Sequence, residues 1–102
     1  MAKLVALYKK PADARAFDTY YFSKHVPIAK KISGLRRYEV STGPVGTPQG
    51  ESSYYLAAIL TFDSMAAIQQ ALTSPEGQAT AGDLANFAQA GVELLVFESK
   101  DV

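Results

Sequence analysis

The almost continuous apolar run over residues 54–62 limits the folds open to this chain more than any other feature of its sequence. The run has the length of a strand, contains no charged residue, and is apolar at both odd and even positions. A strand of this kind is covered on both faces and belongs in the interior of a sheet. Since 102 residues provide one core only, we predict a single domain over residues 1–102.

Changes in the spacing of apolar residues divide the chain into strands and helices, with proline, glycine and serine at the boundaries. The predicted elements are strands over residues 3–8, 35–40, 54–62 and 92–97, a helix between Asp13 and Gly34, a long loop over residues 43–53, and a helix that starts at Asp63 or Ser64, restarts at Pro75 and extends toward Phe87. This βαββαβ order is typical of a ferredoxin-like α+β fold, in which a four-stranded antiparallel sheet carries two helices on one face.

Pro27 interrupts the first predicted helix. Because proline lacks the N–H that would bond the carbonyl of Ser23, we expect a kink or a restart between His25 and Pro27. The apolar stripe of this helix consists of Phe17, Tyr21, His25, Ile28 and Ile32.

The opposite face of the sheet has no cover in this arrangement. The third strand is apolar at both odd and even positions: Tyr55, Ala57 and Ile59 are predicted on one face of the sheet, and Leu56 and Leu60 on the other. The last strand follows the same pattern. Two helices bury one face only, and a large exposed apolar patch is unusual on a monomer. We therefore predict a symmetric homodimer that pairs through the sheet face, the alternative being a monomer with a moderately apolar surface.

Composition excludes several classes of function. Ten Lys and Arg residues balance ten Asp and Glu residues, and no long basic run predicts binding to nucleic acid or to an anionic membrane. The chain has no cysteine and one histidine, so it offers neither a thiolate site nor a metal-ligand spacing, and no glycine-rich phosphate loop is present. The apolar stretch near the N-terminus is too short for a signal peptide or a membrane span. These features predict a cytoplasmic protein without a cofactor or metal.

His25 is the strongest candidate for a catalytic residue. It lies on the apolar stripe of the first helix, and an imidazole in a semi-apolar interior can act as a general acid or base. The alternative is a structural histidine that caps a free carbonyl near Pro27, that of Tyr21 or Phe22.

Tyr38 and Arg36 are the candidates from the second strand. A phenol beside the imidazole can donate a hydrogen bond to a developing enolate, although packing is the commoner role of such a tyrosine. Arg36 is two residues before Tyr38, so both are predicted on the same face of the strand, where Arg36 can hold an anionic group. Arg37 and Glu39 are predicted on the opposite face. The sequence leaves open which of these two faces is turned toward the helices.

Aromatic side chains are numerous enough to line a pocket for a flat apolar ligand, although a core is their commoner use. The candidates for contact with a small hydrophobic or aromatic ligand are Tyr21, Phe22, Ile28 and Phe62.

Two segments resemble a known family. Residues 21–29 (YFSKHVPIA), with a helical histidine before a proline, and residues 34–40 (GLRRYEV) closely resemble the EthD family, named for ethyl tert-butyl ether degradation, within the dimeric α+β barrel superfamily. The resemblance implies a ferredoxin-like subunit whose sheet packs on that of its partner, with a cavity between helices and sheet. It also implies that His25 and Tyr38 match the histidine and tyrosine that barrel relatives use in this cavity.

The function that the resemblance and the residues together predict is a cofactor-free enzyme, of monooxygenase, isomerase or cyclase type, acting on a small aromatic, lactone or enolisable carbonyl compound. His25 would move the proton and Tyr38 would stabilise the oxygen. The alternative is a non-catalytic accessory module that binds a hydrophobic ligand or a redox partner of the cytochrome P450 type. The lack of further histidines argues against methylmuconolactone methylisomerase activity, and the lack of tryptophan argues against haem breakdown.

Overall fold

The main sheet has the predicted connectivity. In the computed structural model, which describes residues 1–102, its strands are β1 (Ala2–Lys9), β2 (Arg37–Val40), β5 (Tyr54–Phe62) and β6 (Val92–Glu98), while β3 (Gly46–Thr47) and β4 (Gly50–Glu51) form a small separate hairpin within the predicted long loop. All pairs of the main sheet are antiparallel, in the order β2-β5-β1-β6. The ferredoxin-like prediction is confirmed, and β5 occupies the interior position that its apolar run requires.

Two helical segments connect the strands on one side of this sheet. The first consists of α1 (Ala14–Tyr20), a π-helical turn (Tyr21–His25) and α2 (Val26–Ala29), and the second of α3 (Met65–Thr73), α4 (Pro75–Asp83) and a 3₁₀ turn (Leu84–Asn86).

The helices start at the side chains that the sequence indicates. The carboxylate of Asp13 accepts a hydrogen bond from the amide of Ala16 at 3.0 Å, and Ser64 and Ser74 cap α3 and α4 in the same way. Each cap satisfies a backbone donor that has no partner within its helix. Ser74 and Pro75 thus separate α3 from α4, as predicted.

The core fills the space between the helices and the even-numbered side chains of β1 and β5. Successive residues of a strand point to opposite faces, so Tyr8, Leu60 and Phe62 are buried against the helices while Leu7 and Ile59 point away from them. Ala6 and Ala58 lie directly opposite each other in the middle of this face. Because both side chains are small, they leave room above the sheet.

A β-bulge changes the direction of one predicted side chain. The register between β1 and β5 shifts at Tyr8 and Lys9, so that one residue of β5 is left without a partner. Tyr55 consequently packs edge-on against Phe17 of α1, with ring centroids 5.4 Å apart, and its hydroxyl bonds the carboxylate of Asp18 at 2.9 Å. The prediction that Tyr55 shares a face with Ala57 and Ile59 is therefore wrong, since strict alternation does not anticipate a bulge.

The face of the sheet turned away from the helices is apolar and open within one chain. Val5 lies between Ile59 and Leu95, and Phe97 extends the same surface along β6. About half of the surface of Leu95 and of Phe97 is exposed, 49% and 46% respectively. We call this surface, formed by Val5, Ala57, Ile59, Leu95 and Phe97, the open face.

Candidate active site

A π-helical turn places His25 above the sheet. The amide of Val26 bonds the carbonyl of Tyr21, five residues earlier, and α2 resumes with Pro27 in its first turn, where the missing N–H costs no hydrogen bond. The predicted restart at this proline is thus confirmed. Because a π turn contains more residues than an α-helical turn, buried residues four apart stay on the same side of the helix. These residues are Phe17, Tyr21, His25 and Ala29. Ile28, expected on this stripe, is only half-buried.

His25 is held by Asp83 at the end of α4. The ring Nδ1 lies 2.8 Å from one carboxylate oxygen, and only 3% of His25 and 7% of Asp83 are exposed. The other carboxylate oxygen accepts hydrogen bonds from the hydroxyl of Tyr20 at 2.6 Å and from the amide of Asn86 at 2.9 Å. The alternative role of His25 as a cap for a backbone carbonyl is wrong, because its partner is a carboxylate from the other helical segment.

The protonation states of this pair follow from burial and hydrogen bonding. Burial lowers the pKa of His25 below 6.5, although Asp83 partly opposes this effect. Burial alone would raise the pKa of Asp83, but the hydrogen bonds from Tyr20, Asn86 and His25 hold that pKa below its ordinary value. Asp83 is therefore a carboxylate and accepts hydrogen bonds only, so neutral His25 must carry its proton on Nδ1. Nε2, which makes no hydrogen bond within the protein, keeps its lone pair.

Two tyrosine hydroxyls accompany the histidine. The hydroxyls of Tyr21 and Tyr38 lie 2.6 Å apart, and the rings of Tyr21 and His25 have centroids 5.4 Å apart. Burial raises the pKa of both phenols, and that of Tyr8, above the ordinary value of 10.0. All three phenols thus stay neutral near pH 7 and retain a proton that can be donated.

These residues surround a small apolar cavity of about 70 Å³ between the helices and the sheet. Ala6 and Ala58 contribute its floor, and it extends past α4 to Leu72 and Leu94, which are about half exposed. We call this space the His25 cavity. Its lining also includes Tyr8, Tyr21 and Tyr38.

The structure brings together only some of the predicted site residues. The His25 cavity is lined by His25, Tyr21 and Tyr38. The face of β2 that carries Tyr38 is therefore the one turned toward the helices. Phe62 is buried in the core outside the cavity lining, and Phe22 is 50% exposed on its outer side.

Arg36 is not part of this cavity. Its guanidinium makes a bidentate salt bridge with Asp63 at the surface, with distances of 3.1 and 2.7 Å. Arg36 precedes β2 at the end of the sheet, where its guanidinium reaches Asp63, the residue that follows β5. The structure therefore offers no role for Arg36 at the His25 cavity.

Asp83 is the site residue that sequence reasoning missed. Asp83 is 58 residues away from His25 in the chain, and a single aspartate near the end of a helix carries no local signal of its partner. Tyr8, by contrast, is among the aromatic residues that the sequence offers for lining a pocket. Only the packing of α4 against the first helical segment shows that Asp83 and His25 are neighbours.

Two general properties complete the description of the site. No group of three or more His, Asp or Glu side chains is arranged to hold a metal ion. None of the helices has the length and apolar character needed to cross a membrane.

The free energy of unfolding is expected to fall as the pH drops below about 6.5. The pKa of His25 is lower in the folded chain than its ordinary value of 6.5, so the unfolded chain takes up the proton first and is favoured on acidification. The lowered pKa of Asp83 has the same sign, and its effect appears below its ordinary value of 3.8. Urea unfolding of the wild type and of His25→Asn, between about pH 5 and about pH 8, measures this dependence. Equal slopes for both proteins would contradict the assignment to His25.

Comparison with known proteins identifies the family. The family model described as the EthD domain matches residues 9–91. An uncharacterised 11.0 kDa protein from the thcB–thcC intergenic region of Rhodococcus erythropolis is 41% identical over 103 residues, covering 100% of this chain and 98% of that protein.

Solved structures agree with this result. An ethyl tert-butyl ether degradation (EthD) family protein from Bacillus halodurans C-125 has a TM-score of 0.89 and 41% identity, covering 98% of this chain and 99% of that one. A dimeric protein of unknown function with a ferredoxin-like fold from Bacteroides fragilis has a TM-score of 0.64 and 20% identity, covering 96% and 95% of the two chains, and shows the shared fold alone. The extent of the family match and the identity to the Bacillus protein show that this chain belongs to the EthD family.

Proposed function

We propose that this chain is an enzyme that works without a cofactor and removes a proton from a small phenol, unsaturated lactone or enolisable carbonyl compound. The observation that carries the proposal is the buried His25–Asp83 pair: His25, whose Nε2 is free, lines a cavity together with three neutral phenols. A base, a group that orients it and hydrogen-bond donors beside it are the parts that such chemistry needs.

Proton transfer would proceed through His25. The bond between the substrate carbon or oxygen and its acidic hydrogen breaks, the proton moves to Nε2, and the electron pair is delocalised onto the substrate oxygen. The carboxylate of Asp83 stabilises the imidazolium that forms. Return of the proton to a different carbon gives an isomer, so the step needs no oxidant or reductant.

Tyr38 would stabilise the substrate oxygen. Because burial keeps its phenol neutral, its hydroxyl can donate to an enolate or phenolate, while the hydroxyl of Tyr21, 2.6 Å away, donates to Tyr38 in turn. Donors placed in an apolar site interact more strongly with a developing charge than donors in water. This role uses only groups that line the His25 cavity.

Hydrogen–deuterium exchange measures the proposed step directly. In D₂O, the wild-type protein is expected to accelerate loss of the acidic C–H signal of pentane-2,4-dione or of an unsaturated five-membered lactone over buffer alone. Nitrogen NMR of His25 in the same samples reports whether the compound reaches the ring. A shift of the His25 signals without faster exchange would identify a ligand-binding accessory module, and neither effect with any compound would contradict both functions.

We further propose that two chains pair through the open face. Its apolar residues leave a large surface uncovered, pairing about a two-fold axis would place the same apolar residues of two copies against each other, and the Bacteroides protein of the same fold is described as dimeric. In this arrangement the sheets cover each other and the helices, with the His25 cavity, stay on the outside of each subunit.

Leu95→Glu is expected to convert the dimer into a monomer, because it would bury a charge without a partner beside Val5 and Ile59 in the middle of the open face. Val96→Glu is the matched control: Val96 is 44% exposed, close to the 49% of Leu95, but its side chain points to the helix side of β6. Analytical ultracentrifugation gives the mass of each variant. The pairing surface would be wrong if Leu95→Glu remained dimeric, or if both variants dissociated alike.

A further inference from the structure

The His25 cavity is too small to hold the proposed substrate. Its volume is about 70 Å³, whereas a cavity of about 150 Å³ accepts benzene and ligand pockets usually have about 300–1,000 Å³. The reacting end of a substrate can therefore lie beside His25 only if the rest of the molecule is bound elsewhere.

A second cavity of about 620 Å³ lies at the start of β5. It is bounded by Asp18 and Phe22 of the first helical segment, by Val40 at the end of β2, and by the loop that includes Thr42 and Val45. We call it the outer cleft. Tyr54, Tyr55 and Leu56 add further aromatic and apolar surface to it. The bulge in β5 that turns Tyr55 toward α1 thus also shapes this cleft.

The two cavities are neighbours on the same side of the sheet. Val40 of the outer cleft is two residues from Tyr38 of the His25 cavity, so both side chains are on the helix-facing side of β2. Phe22 of the cleft contacts Tyr21 of the cavity, with ring centroids 5.1 Å apart. Tyr21 and Tyr38, whose hydroxyls are hydrogen-bonded, are therefore cavity residues that lie next to residues of the cleft.

The charges of both cavities disfavour an anionic ligand. Lys10 is the only cationic side chain that lines either of them, and it already pairs with Glu51 at 3.5 Å. Asp18 adds a negative charge to the cleft, and Asp83 adds one behind His25. Arg36, which could have bound an anion, is paired with Asp63 outside both cavities.

We propose that the outer cleft binds the non-reacting part of the substrate, and that the substrate is an elongated, uncharged aromatic compound whose reacting end passes Tyr21 and Tyr38 to reach His25. This inference rests on the proposed function and adds the class of compound and its route. It makes Phe22 and the loop around Thr42 determinants of substrate length.

Binding of three probes tests the route. The probes are acetone, 4-phenylbutan-2-one and 4-(3-oxobutyl)benzoate, whose shared reacting end is a small methyl ketone, and the readout is the His25 nitrogen signal during titration. Thr42→Trp places a large ring in the cleft, Gln49→Trp places the same ring at the exposed tip of the β3–β4 hairpin as a control, and Leu94→Trp narrows the opposite end of the His25 cavity. Amide spectra establish that each variant is folded.

Thr42→Trp is expected to weaken 4-phenylbutan-2-one binding by about tenfold to a hundredfold, the contribution of one buried aromatic ring, and to leave acetone binding unchanged. The Gln49→Trp control is expected to bind both ketones as wild type does. The carboxylate probe is expected to bind wild type more weakly than 4-phenylbutan-2-one. The inference would be overturned if Thr42→Trp had no effect, if Leu94→Trp alone blocked the long probe, or if the carboxylate bound equally well. In each of these cases a response of His25 to acetone leaves the proposed function standing, whereas a His25 signal that no probe moves overturns both.

Discussion

Replacing His25 with asparagine is expected to lower the rate of proton exchange by about 10²–10⁴-fold, the usual contribution of a general base. Asparagine places its amide nitrogen near the position of the imidazole Nδ1, so it can still donate to Asp83, which lies 2.8 Å from Nδ1 in the wild type. What it lacks is a basic nitrogen in place of Nε2. The rate constant for deuterium exchange of pentane-2,4-dione measures the loss.

His25→Ala separates this result from an effect on folding. Alanine removes the donor as well as the base, so one oxygen of the buried Asp83 is left without a hydrogen-bond donor. This loss should lower the free energy of unfolding by about 1–3 kcal/mol. If His25 is the base, both variants lose exchange while only the alanine variant loses much stability. A purely structural histidine would show the opposite: activity would survive in His25→Asn and would track stability across the two variants.

Replacing Asp83 with asparagine is expected to abolish most of the same activity without removing a single side chain from the cavity. One oxygen of Asp83 accepts from both Tyr20 and Asn86, and the other accepts from His25. An asparagine satisfies the two donors by placing its oxygen toward them, which turns its NH₂ group toward His25. The Nδ1 atom must then accept a hydrogen bond, so the proton moves to Nε2 and the lone pair that the reaction needs is lost.

Nitrogen NMR can detect this change of tautomer independently of activity. Wild-type His25 is expected to show a protonated Nδ1, and Asp83→Asn a protonated Nε2, together with a drop in exchange that reaches about 10⁴-fold for the equivalent substitution in serine proteases. Asp63→Asn is the control, since it changes a carboxylate that binds only Arg36 at the surface. An unchanged tautomer in Asp83→Asn with normal exchange would exclude Asp83 as the residue that positions His25.

The arrangement favours chemistry on neutral compounds. The base is oriented by a carboxylate, the donors are neutral phenols, and the only cation bordering either cavity is already paired. Such a site stabilises a modest, delocalised charge on oxygen and has no unpaired cation to balance a carboxylate or phosphate on the substrate. The proposed enolate or phenolate meets this condition.

Local patterns predicted most of the fold. The turns and caps at Asp13, Ser64 and Ser74 depend on hydrogen bonds between residues three apart, and the helical stripe through Phe17 and His25 depends on a short repeat, so both can be recognised in the sequence. The position of Tyr55 could not, because a bulge depends on the register between two strands.

The candidate site was predictable only in part. His25, Tyr21 and Tyr38 were identified because the first two share a helical stripe and the third lies on the strand that follows. Phe22 and Phe62 are predicted from residue type, and Arg36 from its place two residues before Tyr38. Their positions depend on other details: Phe22 follows the buried Tyr21 on the helix, Phe62 packs into the core at the end of β5, and Arg36 makes a salt bridge with Asp63.

What this sequence determined by itself is the order of its strands and helices, the positions where the helices begin, and the side of the first helix that carries a histidine. These features follow from interactions between residues close in the chain. Only the tertiary structure decided that Asp83 is the partner of His25, and that Tyr21 and Tyr38 line a small cavity beside a larger cleft. These contacts join elements far apart in the sequence, and their geometry is set by how the helices pack on the sheet.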